Sequence, residues 1–254
     1  MLAIERRNKI EQMINENGSV LVVDLAKMFD VTTETIRGDL LKLEKQGVLV
    51  RTYGGATLAE NNNADLGIME RESINSEAKR RIAECASKMI RDGETIFLDS
   101  STTSWHLARC LKERKKLTVI TNALKIITEL ADCQGINLIC VGGRLNVKNM
   151  SHTGRVAQAS IRDNYYANRC FFACRGITMQ CGLVDASEEE AEVKLAMIEN
   201  CSEVVFLCDH TKFGKVGQPK LIDFGKIDYM ITDMQLSEDW KTYLESFDIH
   251  IKEV

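Results

Sequence analysis

The sequence predicts an α/β protein in two parts: a small helical N-terminal module closed by a β-hairpin, then a larger α/β domain with a mostly parallel sheet. Three observations predict this. Short helical periodicities followed by a Gly-Gly hairpin fill residues 1–58, periodicity lapses in an Asn-rich stretch over 59–75, and from residue 76 apolar strand-like runs alternate with amphipathic helices. At 254 residues the chain is long enough for one medium and one small domain.

Bulk composition excludes several classes. Apolar residues make up 44% and charged residues 28%, ordinary globular values that rule out wholesale disorder. No run approaches the roughly 18 apolar residues of a membrane span. "MLAIERRNKI" lacks the apolar core of a signal peptide, so a cytoplasmic protein without a membrane partner is expected. The nine cysteines (85, 110, 133, 140, 170, 174, 181, 201, 208) show no CxxC spacing and mostly sit in apolar runs such as "INLICV", which reads as buried free thiols. With four scattered His, the sequence points to no metal and no cofactor. Net charge is −4, and residues 1–58 hold eight Lys/Arg against eight Asp/Glu, so any nucleic-acid binding must come from local placement of cations.

The first helix carries an apolar stripe of Ile4, Ile10, Met13 and Ile14 and stops at "NENGS". The second, "VVDLAKMF", places Val22, Leu25, Ala26 and Phe29 on one face. Asp30 and Val31 lead to Thr32, an expected N-cap, and a third helix follows with Ile36, Leu40 and Leu43 at i, i+4, i+7. Two helices joined by so tight a turn predict a helix-turn-helix, whose second helix presents its N-terminal side chains to the major groove. Thr32, Thr33, Thr35, Arg37 and Lys42 then become candidate contacts to double-stranded DNA. "GVLVRTYGGATLAE" reads as a hairpin turning at Gly54 and Gly55, a wing that places Arg51 and Tyr53 near the DNA backbone. A packing module with solvated Thr and Arg is the bland alternative.

"VTTETIRGDLLKLEKQGVLVRTYGGA" resembles the DeoR-type bacterial regulators, whose hallmark is V-S-x-x-T-I-R-R-D-L, then L-x-x-x-G and R-x-H-G-G-A. Val31, Thr32, Thr35, Ile36, Arg37, Asp39, Leu40, Gly47, Arg51, Gly54, Gly55 and Ala56 match in place, with Thr32 standing in for Ser. Gly38 replaces the second Arg of the pair, and Tyr53 the His of the wing.

In the larger domain the helices "EAKRRIAECASKMIRDG", "SWHLARCLKER", "LKIITELADCQ" and "EEEAEVKLAMIEN" separate the strands "ETIFLD", "LTVIT", "INLICVGG", "RCFFAC" and "EVVFLCD". Sheets of this class bind ligands at the carboxyl ends of their strands. There the chain places Asp99 followed by Ser100, Ser101, Thr102 and Thr103 before a helix, an arrangement that suits an anion. Gly142, Gly143 and Arg144 follow a second strand, and Asp209 and Lys212 a third. "GLVDASEEEAEVK" adds Asp185, Glu190 and Lys194. The segments "LDSSTT", "TVITN", "VGG", "GITMQCGLVD" and "DHTKFG" resemble the DeoR-type effector domain in order, so the resemblance covers essentially the whole chain.

That resemblance implies a domain similar to ribose-5-phosphate isomerases that binds a phosphorylated sugar. It places Ser100–Thr103 at the phosphate, and Arg144, Asp185, Lys194 and Lys212 around the rest. Ser101 replaces the family's Gly, and Arg175 in "FFACRGI" is bulkier than the expected small residue and suggests an added anion contact. The implied protein is a transcriptional regulator, a repressor of a carbohydrate-utilisation operon, not an enzyme, acting as a homodimer or homotetramer on operator DNA. The alternatives are a phosphosugar isomerase with a DNA-binding appendage, with Asp185, Asp209 and Lys212 as base and electrophile, and an adaptor whose winged helix no longer binds DNA. Expected boundaries are 1–58 for the DNA-binding domain, 59–75 for a linker and 76–254 for the effector domain.

Overall fold

A computed structural model describes residues 2–46, 48–52, 54–58 and 66–254. The N-terminal module runs α1 (Ala3–Asn17), β1 (Ser19–Leu21), α2 (Val22–Phe29), α3 (Thr33–Lys45), β2 (Leu49–Thr52) and β3 (Gly55–Leu58). Gly18, at φ 75°, ends α1 and returns its N–H to the Ile14 carbonyl at 2.8 Å. Asp30, also left-handed at φ 51°, makes the turn between α2 and α3. Ile10, Ile14, Leu25, Ala26, Ile36, Leu40 and Leu43 form the buried centre, with Ala26 letting the helices approach. Ile4, in the first turn of α1, is 60% exposed and stands outside the stripe assigned to it. The strands pair antiparallel in the order β1-β3-β2, the sheet of a winged helix.

Asp39 is buried inside this module. Its carboxylate takes Arg6 Nε at 2.6 Å and Arg7 at 3.4 Å, tying α3 to α1. The Asp of the recognition-helix motif is therefore an internal tie.

The larger domain begins with α4 (Ile68–Ser73), inside the stretch read as linker, and continues through α5 (Ser76–Ser87), β4 (Thr95–Leu98), α6 (Thr102–Cys110), β5 (Leu117–Thr121), α7 (Leu124–Leu130) and β6 (Ile136–Cys140). A hairpin of β7 (Arg144–Asn146) and β8 (Ser151–Thr153) leads to α8 (Arg155–Asn164) and β9 (Ala167–Phe172). Then come β10 (Gly176–Thr178), β11 (Gly182–Val184), α9 (Glu188–Glu199), β12 (Cys201–Cys208), β13 (Lys220–Ile222), β14 (Tyr229–Thr232), α10 (Glu238–Glu245) and β15 (His250–Glu253). Seven strands form one sheet in the order β15-β14-β12-β9-β4-β5-β6, every neighbouring pair parallel.

Helices cover both faces, as the continuous apolar strands require. Phe97, Phe172 and Phe206 face α8, α9 and α10, while Ile96, Leu98, Phe171 and Val205 face α5, α6 and α7. A small antiparallel sheet, β10-β11-β13, stands beside the carboxyl ends of the main strands. Cys170, Cys174, Cys181 and Cys208 are buried, but Cys110 and Cys140 are exposed, so the reading of the thiols as interior holds only in part. Among the described residues no helix is long and apolar enough to cross a membrane.

Asp39→Ala leaves Arg6 buried without its partner, a change that costs about 3–5 kcal/mol. Calorimetry of the full chain should show the melting transition of the N-terminal module shifted down and that of the larger domain in place.

Candidate functional site

A cleft opens where β4, β9 and β12 end side by side, the position that a parallel sheet offers a ligand. After β4 the chain turns sharply into α6. Ser101 caps that helix, its Oγ accepting the Ser104 N–H at 3.1 Å, and the Ser101 and Ser104 hydroxyls donate to Asp99 Oδ1 at 2.6 and 2.5 Å. The Ala173 N–H, just past β9, reaches Asp99 Oδ2 at 3.2 Å. Lys194 Nζ, from α9, donates to Asp185 Oδ2 at 2.5 Å and to the Ala173 carbonyl at 2.6 Å, and lies 3.2 Å from Asp99 Oδ2. Burial opposes the Lys194 charge, yet Asp185 and Asp99 outweigh it and raise its pKa.

The cleft has two chemically different ends. At one, Ser100 Oγ donates to Glu190 Oε2 at 2.7 Å, while Glu190 Oε1 takes the Ser151 hydroxyl and the Asn149 amide. At the other end stand Lys79, Asp209, Thr211, Lys212 and Lys215. Arg71, Thr102, Arg175 and Lys212 line both. Six cations (Arg71, Lys79, Arg175, Lys194, Lys212, Lys215) therefore meet four carboxylates (Asp185, Glu190 and Asp209, with Asp99 beneath), an excess of two positive charges.

This crowding shows in the titration of the cations. Burial, with Lys212 and Arg71 nearby, lowers Lys79 to about 8 against the opposing pull of Asp209. Burial, Lys212 and Arg175 lower Lys215 to about 8 as well. The Arg175 guanidinium, depressed by burial and by Arg71, makes no ion pair among the described residues. Asp209 stays below the usual carboxylate range, because Lys212, the Thr211 hydroxyl and Lys79 overcome its burial.

Of the residues expected here, Ser100, Ser101, Thr102, Thr103, Arg175, Asp185, Lys194 and Lys212 line the cleft. Asp99 lies beneath it and positions the loop. Gly142, Gly143 and Arg144, expected at the ligand, stand outside the cleft: β6 is the edge strand, two places from β4, and its end turns into the β7–β8 hairpin. Gly143 is required there because a Cβ would lie 2.7 Å from the Thr153 carbonyl, and the exposed Arg144 pairs with Glu189 at 3.0 Å.

Several lining residues escaped the sequence reading, among them Arg71 on α4, Lys79 on α5, Asn149 and Lys215. Lys79 had a visible signal. It falls in register with the buried Ile82, Ala83 and Ala86 at i+3, i+4 and i+7, so a lysine occupies an apolar helical face.

In the N-terminal module Thr32 caps α3, accepting the Thr35 N–H at 3.2 Å, and Thr32, Thr33, Thr35, Arg37 and Lys42 are all exposed on that helix or its cap. Arg37 pairs with Glu34 at 3.2 Å, and Arg51 with Glu44 at 2.7 Å. Tyr53 lies outside the described residues. A Cβ on Gly38 would meet nothing within 4 Å, so no neighbour in the fold requires glycine there.

Of the two wing glycines expected at DNA, Gly54 instead faces the larger domain, while Gly55 packs first against β1 of its own module and then against Val216. A Cβ on Gly54 would lie 2.5 Å from Cys181 Sγ; one on Gly55 would lie 2.1 Å from the Val20 carbonyl oxygen and 3.2 Å from Val216 Cγ2.

Residues 6–62 match the DeoR-like helix-turn-helix domain and residues 74–234 the DeoR C terminal sensor domain. The chain is 36% identical to an uncharacterized HTH-type transcriptional regulator, YulB, of Bacillus subtilis (strain 168), over 93% of this chain and 91% of that protein. It is 32% identical to a putative aga operon transcriptional repressor of Escherichia coli O157:H7, over 92% and 88%. Among solved structures, ribose 5-phosphate isomerase A of Methanocaldococcus jannaschii is similar over 55% of each chain, with 18% identity and a TM-score of 0.41. With two family domains in order and full-length relatives named as regulators, this chain belongs to the DeoR family of helix-turn-helix transcriptional regulators and is not an enzyme.

Proposed function

We propose that the chain represses a carbohydrate-utilisation operon and that a phosphorylated sugar bound in the cleft controls it. The observation that carries this reading is the excess of two positive charges at the α6 N-terminus. A phosphate dianion supplies the missing charge, and the sugar hydroxyls meet the polar end at Ser100, Asn149 and Glu190. Thr102 stands between the two ends. The isomerase alternative is disfavoured because both of its carboxylates are engaged: Asp185 by Lys194 and by the Ala186 N–H at 2.8 Å, and Asp209 by the Thr211 N–H at 3.1 Å with Lys212 at 3.8 Å.

Operator DNA is the partner of the exposed face of α3. Arg37 and Arg51 are held only by surface carboxylates, pairs worth about 0–1 kcal/mol, so exchanging them for phosphates or base edges costs little. A homodimer or homotetramer would present paired recognition helices to successive half-sites.

Thermal-shift titration of the purified chain with pentose and hexose phosphates, and with the free sugars, tests the effector. Stabilisation of about 2.7 kcal/mol is expected at a hundredfold excess over the dissociation constant. The free sugars should give none, and Thr102→Val should abolish it.

Binding should also weaken as pH rises through about 8, where Lys79 and Lys215 lose the protons that make them cations. Calorimetric titration at pH 7 and pH 9 should show an affinity loss of about tenfold or more, the worth of one charged hydrogen bond.

For DNA, Arg37→Ala should weaken operator binding by about 1–3 kcal/mol. Gly38→Ala, entering open space, should instead stabilise the module by about 1 kcal/mol. Unchanged affinity in Arg37→Ala would overturn the assignment of α3.

A further inference from the structure

We propose that the wing docks on its own effector domain, on a face made by Cys181, Gly214 and Val216, and that an anion in the cleft tightens this dock at the expense of DNA binding. The contact is specific on both sides. Ser19 Oγ, on β1, donates to the Gly214 carbonyl at 3.0 Å. The Gly54–Gly55 turn lies against Cys181 Sγ and Val216, which is only 2% exposed. At Gly54 any side chain would strike the thiol, and Gly55 leaves no room beside Val20 and Val216. Gly54 therefore serves close approach between domains, and a wing held there is not available to the DNA backbone.

The docking face is the reverse side of the cleft. Segment 212–217 sends Lys212 and Lys215 to the cationic end, while Gly214 and Val216 meet the wing. It is clamped along β10: the Gly214 N–H bonds the Ile177 carbonyl at 2.9 Å, and a Cβ on Gly176 would lie 2.3 Å from the Lys215 carbonyl oxygen. Lys212 and Lys215 on this segment, with Arg175 beside them, stand as like charges at one end of the cleft. A phosphate between them replaces repulsion by attraction and orders the segment, and with it the surface the wing rests on. The direction of control rests on the phosphate reading of the cleft; the dock itself does not.

Cys181 reports the dock directly. Alkylation of the full chain by iodoacetamide, followed by peptide mass spectrometry, measures its exposure, with buried Cys170 and Cys208 and exposed Cys110 and Cys140 as internal references. Inorganic phosphate serves as the anion, its occupancy read from the melting temperature. The DNA probe is a duplex selected from a random library by the wild-type chain.

Phosphate should slow Cys181 alkylation and weaken duplex binding, each by about tenfold, within the usual range of coupling between sites. Ser19→Glu sets a carboxylate against the Gly214 carbonyl. It should speed Cys181 alkylation, tighten duplex binding and remove the phosphate effect on both, while phosphate still raises the melting temperature. Val216→Ala, on the opposite side, should act in the same direction.

A phosphate-induced rise in melting temperature with unchanged Cys181 alkylation overturns the coupling. No rise at all overturns the phosphate reading instead, and the dock is then decided by Ser19→Glu alone. Unchanged Cys181 reactivity and duplex affinity in that variant sink it.

Discussion

Lys194 is the interaction on which the effector domain's working end depends. Its ammonium group joins Asp99 after β4, the Ala173 carbonyl after β9 and Asp185 after β11, so one buried charge holds three strand ends in fixed relation. Two carboxylates around one ammonium are tolerable inside a protein only because hydroxyls and backbone N–H groups satisfy the rest. Ser101, Ser104 and Ala173 donate to Asp99, and Ala186 to Asp185. The same donors shape the loop that opens α6. A substitution at Lys194 would strand two buried acids and release the loop, so the cleft's geometry and the domain's stability are not separable there.

The remaining charges are arranged in the opposite sense. Away from Lys194 the cleft gathers cations faster than acids, and two of them, Arg71 and Lys79, are brought by the segment that leaves the N-terminal module. Lys79 Nζ is bound to the carbonyls of Arg71 and Ile74, the latter at 2.6 Å, and Arg71 reaches Asn149 at 2.7 Å. The passage from one module to the other thus forms one wall of the cleft. A ligand that pulls on these cations acts on the connection to the DNA-binding module as well as on the loop behind the wing, so the cleft is linked to that module by one covalent route and by one non-covalent contact.

The DNA-binding module spends its charges unevenly. Asp39, Arg6 and Arg7 are committed to its interior, whereas Arg37 and Arg51 are held by exposed Glu34 and half-buried Glu44, which yield to a stronger anion. This resolves the neutral balance of residues 1–58: neutrality of the module does not mean neutrality of its outer face. Gly38 belongs to that face and not to the fold, for nothing packs against it.

Periodicity, capping and turn residues determined most of the architecture in advance: three helices with a hairpin, then alternating apolar strands and helices. They also marked Ser100–Thr103, Asp185, Lys194 and Lys212, since strand-end polar residues before helices have few other uses. Strand order was beyond reach, because any apolar strand can pair with any other. So Gly142–Arg144 looked equivalent to the true cleft loops until β6 proved to be the edge. Arg71 and Lys215 lie where no periodic signal exists, whereas Lys79 was marked by its place on the apolar face of α5 with Ile82, Ala83 and Ala86. The wing glycines show the same division. Local sequence determined that the chain turns at Gly54 and Gly55; only the tertiary structure decided that the turn rests on Cys181 and Val216, because contacts between distant segments are set by packing and not by neighbouring residues.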